Sequence, residues 1–77
     1  MLFVVKYYIE MQITINKQIY QFEENTTLEK AIEALELKES NGIALALNEE
    51  IIPRSEWQKT ILFDEDKIII IGAVAGG

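Results

Sequence analysis

Neither cysteine nor histidine occurs anywhere in the 77 residues. Disulfides, thiolate and imidazole metal sites, iron–sulfur ligation, Ser-His triads and cysteine nucleophiles are thereby excluded as chemistry of the chain itself. A small domain that does without disulfides fits a reducing cytosol. Basic residues are scarce as well: seven Lys and Arg stand against thirteen Asp and Glu, a net charge of −6. A phosphate-binding surface needs clustered cations, so no nucleic-acid partner is expected. A basic protein partner fits the charge, and so does the simpler function of keeping the domain soluble. Long apolar runs are also missing. Met1 to Val5 are apolar, but Lys6, Tyr7 and Tyr8 follow and no small-residue cleavage site appears. That run is too short for a membrane span and makes a poor signal peptide. The expectation is a cytoplasmic protein with no membrane contact.

What is present suits one small globular domain. Apolar residues make up 49% and charged residues 26% of the chain, enough for one core and too apolar for a disordered segment. Met11, Ile13 and Ile15 alternate with polar residues, as do Tyr20 and Phe22, which predicts two half-buried strands. Asn16-Lys17-Gln18 is short and polar, so the two should form a hairpin, of a turn type left open by the absence of Asn-Gly. Leu28, Ala31, Ile32 and Leu35 then share one helical face. Thr26 with Glu29 matches a capping box, Thr27 could equally be the cap, and the helix should end before Ser40-Asn41-Gly42.

Ile43 to Asn48 reads as a third strand. Asn48-Glu49-Glu50 turns the chain into Ile51-Ile52, a strand that Pro53 makes short or confines to an edge. Arg54 to Trp57 suits one helical turn with Trp57 in the core, and Thr60-Ile61-Leu62 a brief pairing. After the Asp64-Glu65-Asp66 turn, Lys67 to Ile71 forms the last strand. This order implies an α+β fold, a mixed sheet of four to five strands with one helix packed on one face. The last strand does not alternate. With Lys67 outward, Ile69 and Ile71 point outward too, while Ile68 and Ile70 enter the core. Ala44 and Ala46 would share that outer side, so neighbouring strands would carry a flat apolar patch suited to docking; incidental exposure of strand-forming residues explains the pattern equally well.

The sequence closes on Gly72-Ala73-Val74-Ala75-Gly76-Gly77, small and uncharged throughout. Glycine has no Cβ and enters channels that other residues cannot. An α-carboxylate on Gly77 would be ionised at neutral pH, with a reference pKa of about 3.5, and would need no charged neighbour to be desolvated with it. The chain offers no general base, nucleophile or metal ligand set. Three consecutive acids at Asp64, Glu65 and Asp66 read as a solvated turn.

Leu47-Asn48-Glu49-Glu50-Ile51-Ile52-Pro53-Arg54-Ser55-Glu56-Trp57, the acidic turn before an isoleucine run, and terminal Gly76-Gly77 together resemble the ThiS family. These are small sulfur-carrier proteins of thiamine thiazole biosynthesis, related in fold to ubiquitin. The resemblance runs from Met11 to Gly77 and implies a ubiquitin-like β-grasp domain over residues 11–72. It leaves 1–10 as an N-terminal extension and 73–77 as a flexible tail that takes a fixed form only when a partner grips it. The family often has glycine in the acidic turn where Glu65 stands here, so a differently shaped turn is expected at modest cost.

The resemblance further implies that an E1-like partner adenylates the Gly77 carboxylate with ATP and Mg²⁺. Sulfur, from a cysteine-desulfurase-type persulfide, then replaces the adenylate to leave a thiocarboxylate. Thiazole synthase accepts the tail, with Ala73, Val74, Ala75 and Gly76 entering the partner sites. On this reading the chain is a carrier with no cofactor or metal of its own, not an enzyme. Ala44, Ala46, Ile69, Ile71 and Arg54 form the candidate partner surface, although Arg54 reads more simply as a local hydrogen-bonding residue. Three alternatives stand beside this reading. They are the small subunit of molybdopterin synthase, which hands sulfur to a pterin, a ubiquitin-like modifier, and a β-grasp interaction module with no covalent chemistry.

Overall fold

A computed structural model describes residues 10–37 and 42–72. The expectations for the N-terminal extension, apart from Glu10, and for the tail 73–77 lie outside the described residues. Among the described residues no helix is long and apolar enough to cross a membrane.

Strand β1 (Glu10–Ile15) starts one residue before the anticipated Met11 and pairs antiparallel with β2 (Gln18–Glu23). The alternation read from sequence decides which faces are buried. Met11, Ile13 and Ile15 are buried, while Gln12 is exposed. The turn between the strands has two central residues, Asn16 and Lys17, at φ 50° and 71°. Positive φ at both is the mark of a type I′ turn, whose twist matches that of the flanking strands. A second turn of the same kind, Asn48-Glu49 at φ 50° and 74°, joins β3 (Ala44–Leu47) to β4 (Glu50–Ile52). Asparagine tolerates the left-handed region and opens both turns; Lys17 and Glu49 occupy it without that help.

Helix α1 (Leu28–Ala34) is capped by Thr27, whose Oγ1 accepts from the Lys30 N–H at 3.2 Å. Of the two candidate caps this is therefore the one used, and Thr26 Oγ1 instead donates to the Glu23 carbonyl at 2.7 Å. The helix ends well before Ser40. Leu35 and Glu36 turn back their N–H groups to the Ile32 and Glu33 carbonyls, with Glu36 in the left-handed region at φ 54°. A 3₁₀ segment, Arg54–Lys59, lengthens the anticipated single turn and packs beside α1. The brief pairing of Thr60 to Leu62 is an isolated antiparallel bridge between Thr27 and Ile61.

The last strand, β5 (Lys67–Ile71), lies at the centre of the sheet, whose order is β2-β1-β5-β3-β4. It runs parallel to β1 and antiparallel to β3. Pro53 follows β4, which is three residues long and at the edge, where a residue without an N–H does no harm. This mixed five-stranded sheet with one helix is the ubiquitin-like β-grasp architecture. The helix and the 3₁₀ segment cover one sheet face, and the core joins Leu28, Ala31 and Ile32 to Met11, Ile13, Ile15, Leu45 and Ile68, with Leu62 and Trp57 closing its rim.

The acidic turn is a clasp. Asp64 Oδ1 accepts from the Gln12 N–H at 2.8 Å, and the Glu65 N–H donates to the Gln12 carbonyl at 2.7 Å. Asp66 accepts from the Phe63 N–H and from Asn48 Nδ2, at 2.8 and 2.9 Å, while Asn48 Oδ1 accepts from the Lys67 N–H at 2.9 Å. Two of the three acids thus bind β1 and the β3–β4 turn to the start of β5. Glu65 sits at φ 72°, the conformation a glycine would adopt freely. The cost foreseen for the missing glycine is therefore carried by one left-handed glutamate within an otherwise well-bonded turn.

Candidate functional site

The candidate site is the outer face of β5 and the chain that leaves it. Within β5, Ile68 is fully buried and Ile70 half-buried on the helix side, while Ile69 and Ile71 face outward, 43% and 44% exposed. The β3–β5 register sets Ala46 opposite Ile69 and Ala44 opposite Ile71. Those four residues are brought together as anticipated, on the face that no helix covers among the described residues. Ala46 is itself 8% exposed, because a methyl group between two larger neighbours is shielded by them.

One member was missed. Ile51 lies opposite Ala46 from the other side and is 56% exposed, so an apolar row Ile51–Ala46–Ile69 crosses three strands. The signal lay in the turn. Once Asn48-Glu49 is recognised as a two-residue loop, Leu47 must face Glu50 and Ala46 must face Ile51.

Arg54 does not belong to this group. It starts the 3₁₀ segment on the helix side, its guanidinium carbon 4.5 Å from the centroid of the Trp57 ring. Together with Glu29, Ile32, Glu33 and Trp57 it lines a shallow cleft beside α1. Trp57 is 4% exposed and donates its Nε1–H to the Ile52 carbonyl at 2.9 Å. The Pro-Arg-x-x-Trp segment therefore staples the end of β4 to the core, and its arginine stacks on that staple.

The chain leaves the sheet at its middle, not at an edge. Ile71 ends β5, and Gly72 is exposed, with nothing within 4 Å of the place where a Cβ would stand. The last described residue, Gly72, thus follows Ile71 at the end of the central strand, whose partner across the ladder is Ala44. Ala73, Val74, Ala75, Gly76 and Gly77 lie outside the described residues. Chemically, the described surface offers an apolar platform next to a small-residue leash. Among the described residues, no group of three or more acids, histidines or cysteines is placed to hold a metal ion.

Comparison with known proteins agrees with this geometry. The model of the ThiS family matches residues 5–77. The sulfur carrier protein ThiS of Escherichia coli (strain K12) is 37% identical over 67 residues, which cover 87% of this chain and the whole of that protein. The crystal structure of the thiamine biosynthesis protein ThiS from Geobacter metallireducens superposes with a TM-score of 0.76 at 22% identity. It covers 87% of this chain and all of the other. At that identity the structural likeness speaks for the fold.

Proposed function

Because the chain belongs to the ThiS family, we propose that it is a sulfur carrier of thiamine biosynthesis, a substrate of its partner enzymes and not a catalyst. The observation that carries this reading is the 37% identity running the full length of the E. coli sulfur carrier. In the reaction proposed, an oxygen of the Gly77 carboxylate attacks the α-phosphorus of ATP, bound with Mg²⁺ by an E1-like enzyme, and pyrophosphate leaves. A carboxylate is a poor acyl donor and the mixed anhydride is a good one, which is the reason for activation. The outer sulfur of a persulfide supplied by a cysteine desulfurase then attacks the acyl carbon and AMP departs, which leaves an acyl disulfide. A second thiol attacks the inner, enzyme-side sulfur of that disulfide, forming a new disulfide and supplying the two electrons that release the thiocarboxylate, which thiazole synthase uses as sulfur donor. These steps belong to the cytoplasm, where ATP and reduced sulfur are both at hand.

The chain's own part is presentation. Ala73, Val74, Ala75 and Gly76 would thread the partner sites without any charge to desolvate. Incubation with an activating enzyme, ATP and a persulfide donor, followed by intact-mass measurement, should show one oxygen exchanged for sulfur at Gly77. A conjugate to a protein amine without sulfur would instead mark a modifier, and no ATP-dependent change with cognate enzymes would remove the carrier reading. A tail-dependent complex with thiazole synthase, and none with a pterin-processing enzyme, assigns the acceptor.

The same enzyme would grip the domain at Ile69, Ile71, Ala44, Ala46 and Ile51. Replacing a central apolar contact by a charge removes its burial and strands the charge, so Ile69→Asp should weaken binding to the activating enzyme by roughly tenfold or more. Ile69 points away from α1 and the described core, so thermal stability should fall much less than on a charge at the buried Ile68. Wild-type affinity for this variant, measured by calorimetry, would move the contact surface elsewhere.

A further inference from the structure

Strand β1 stops before β5 does. The parallel pairing ends at Ile15 opposite Ile68, because the chain turns away at Asn16, yet β5 continues for three more residues. The Asn16 N–H still donates to the Ile68 carbonyl at 2.9 Å. In a regular parallel ladder the next bond would run from the Ile70 N–H to the backbone carbonyl of residue 16. Asn16 has φ 50°, and it is the side chain that completes the ladder: Asn16 Oδ1 accepts from the Ile70 N–H at 2.8 Å. Asparagine is one of the few residues that both tolerates this backbone conformation and brings an acceptor oxygen.

The consequence concerns the tail. Ile70 is two residues from Gly72, where β5 has ended. On the β3 side Ile69, Ile70 and Ile71 are paired; on the β1 side beyond Ile68 the Asn16 side chain accepts from the Ile70 N–H. We propose that Asn16 is a positioning residue for the carrier reaction: its amide oxygen pins Ile70 and so fixes where the strand ends and the reactive leash begins. Losing that bond leaves the end of β5 held on its β3 side alone, so its last residues open more readily and the leash starts from a less fixed point. A less directed leash lowers the local concentration of the terminal carboxylate at the partner's nucleotide site. The inference rests on the carrier reading.

The test uses Asn16→Gly, which keeps the left-handed turn but removes the acceptor, and Asn16→Asp, which restores an acceptor oxygen. Native-state hydrogen exchange should quicken at the Ile70 amide by about fivefold or more in Asn16→Gly, the effect of losing one ordinary hydrogen bond. In ATP–pyrophosphate exchange with the activating enzyme, KM for this carrier should rise by about as much with kcat within twofold, and Asn16→Asp should return both readouts toward wild type. If wild type itself supports no exchange, the carrier reading fails and takes this inference with it. If wild type is active and Asn16→Gly has the same KM, or its raised KM is not rescued by Asp, the positioning role alone is overturned. Faster amide exchange with unchanged kinetics also overturns it, leaving a bond that serves only the fold.

Discussion

Deletion of Gly77 is expected to abolish thiocarboxylate formation while leaving the melting temperature of the domain unchanged. The deletion does not remove the functional group as such, since Gly76 would carry a new α-carboxylate of the same chemistry. What changes is reach, by about 3.3–3.6 Å, the extended rise of one residue. In the proposed adenylation the carboxylate oxygen would meet the α-phosphorus in line, and a misplacement of about 1 Å in such a site can cost about 10² in rate. A full residue should therefore reduce the rate by more than about 10². The fold should not register the loss, because along the chain the described core ends at Ile68, with Ile70 packed against it. Modification of the shortened chain at the wild-type rate would show that the terminal residue is not the one activated. A fall in melting temperature would show instead that the tail belongs to the folded domain.

How much of this was legible beforehand depends on the distance over which each feature is decided. The period-two pattern in Met11, Ile13 and Ile15 and the helical spacing of Leu28, Ala31 and Ile32 are local, and each names its buried face correctly. The outward turn of Ile69 and Ile71 followed from Lys67 by parity alone. The patch they make with Ala44 and Ala46 needed only the strand order of the β-grasp. Other features are set by turns whose type the residues do not announce. Asn16-Lys17 and Asn48-Glu49 lack the glycine that marks a type I′ turn, so the register placing Ile51 beside Ala46 was not evident.

Arg54 was grouped with the partner surface because it belongs to the Pro-Arg-x-x-Trp segment that carries the family resemblance. Pro53 ends β4, and the 3₁₀ segment then packs beside α1, on the opposite side of the sheet from the outward Ile51. The Asn16 bond to Ile70 spans 54 positions and exists because β1 turns away while β5 continues. No local pattern encodes such a bond. Asp64 and Asp66 fall between the two cases: their turn was anticipated, but their oxygens accept backbone and Asn48 donors that only the fold brings near.

The largest loss of stability from a single substitution should come at Trp57. Its ring is almost wholly buried, its Nε1–H satisfies the Ile52 carbonyl at 2.9 Å, and Arg54 stacks on it at 4.5 Å. Truncation of a buried Trp to Ala costs about 3–5 kcal/mol, the lost transfer energy plus the cavity left behind. A domain of this length has a total stability of about 4–12 kcal/mol at the usual 0.05–0.15 kcal/mol per residue. Trp57→Ala should thus remove at least a quarter of that total and lower the melting temperature by roughly 12 °C or more, at about 4–8 °C per kcal/mol. Trp57→Phe keeps most of the apolar volume but leaves the Ile52 carbonyl without its indole partner, so an intermediate loss of about 1–3 kcal/mol is expected. Chemical denaturation of the three proteins decides this, and a Trp57→Ala loss below 1 kcal/mol would contradict the anchoring role. The comparison with Ile69→Asp separates fold from function: Trp57 lies on the helix side, so Trp57→Phe, where folded, should still be adenylated at close to the wild-type rate. Ile69→Asp should show the reverse, a stable domain that its enzyme no longer holds, because the two residues lie on opposite faces of one sheet.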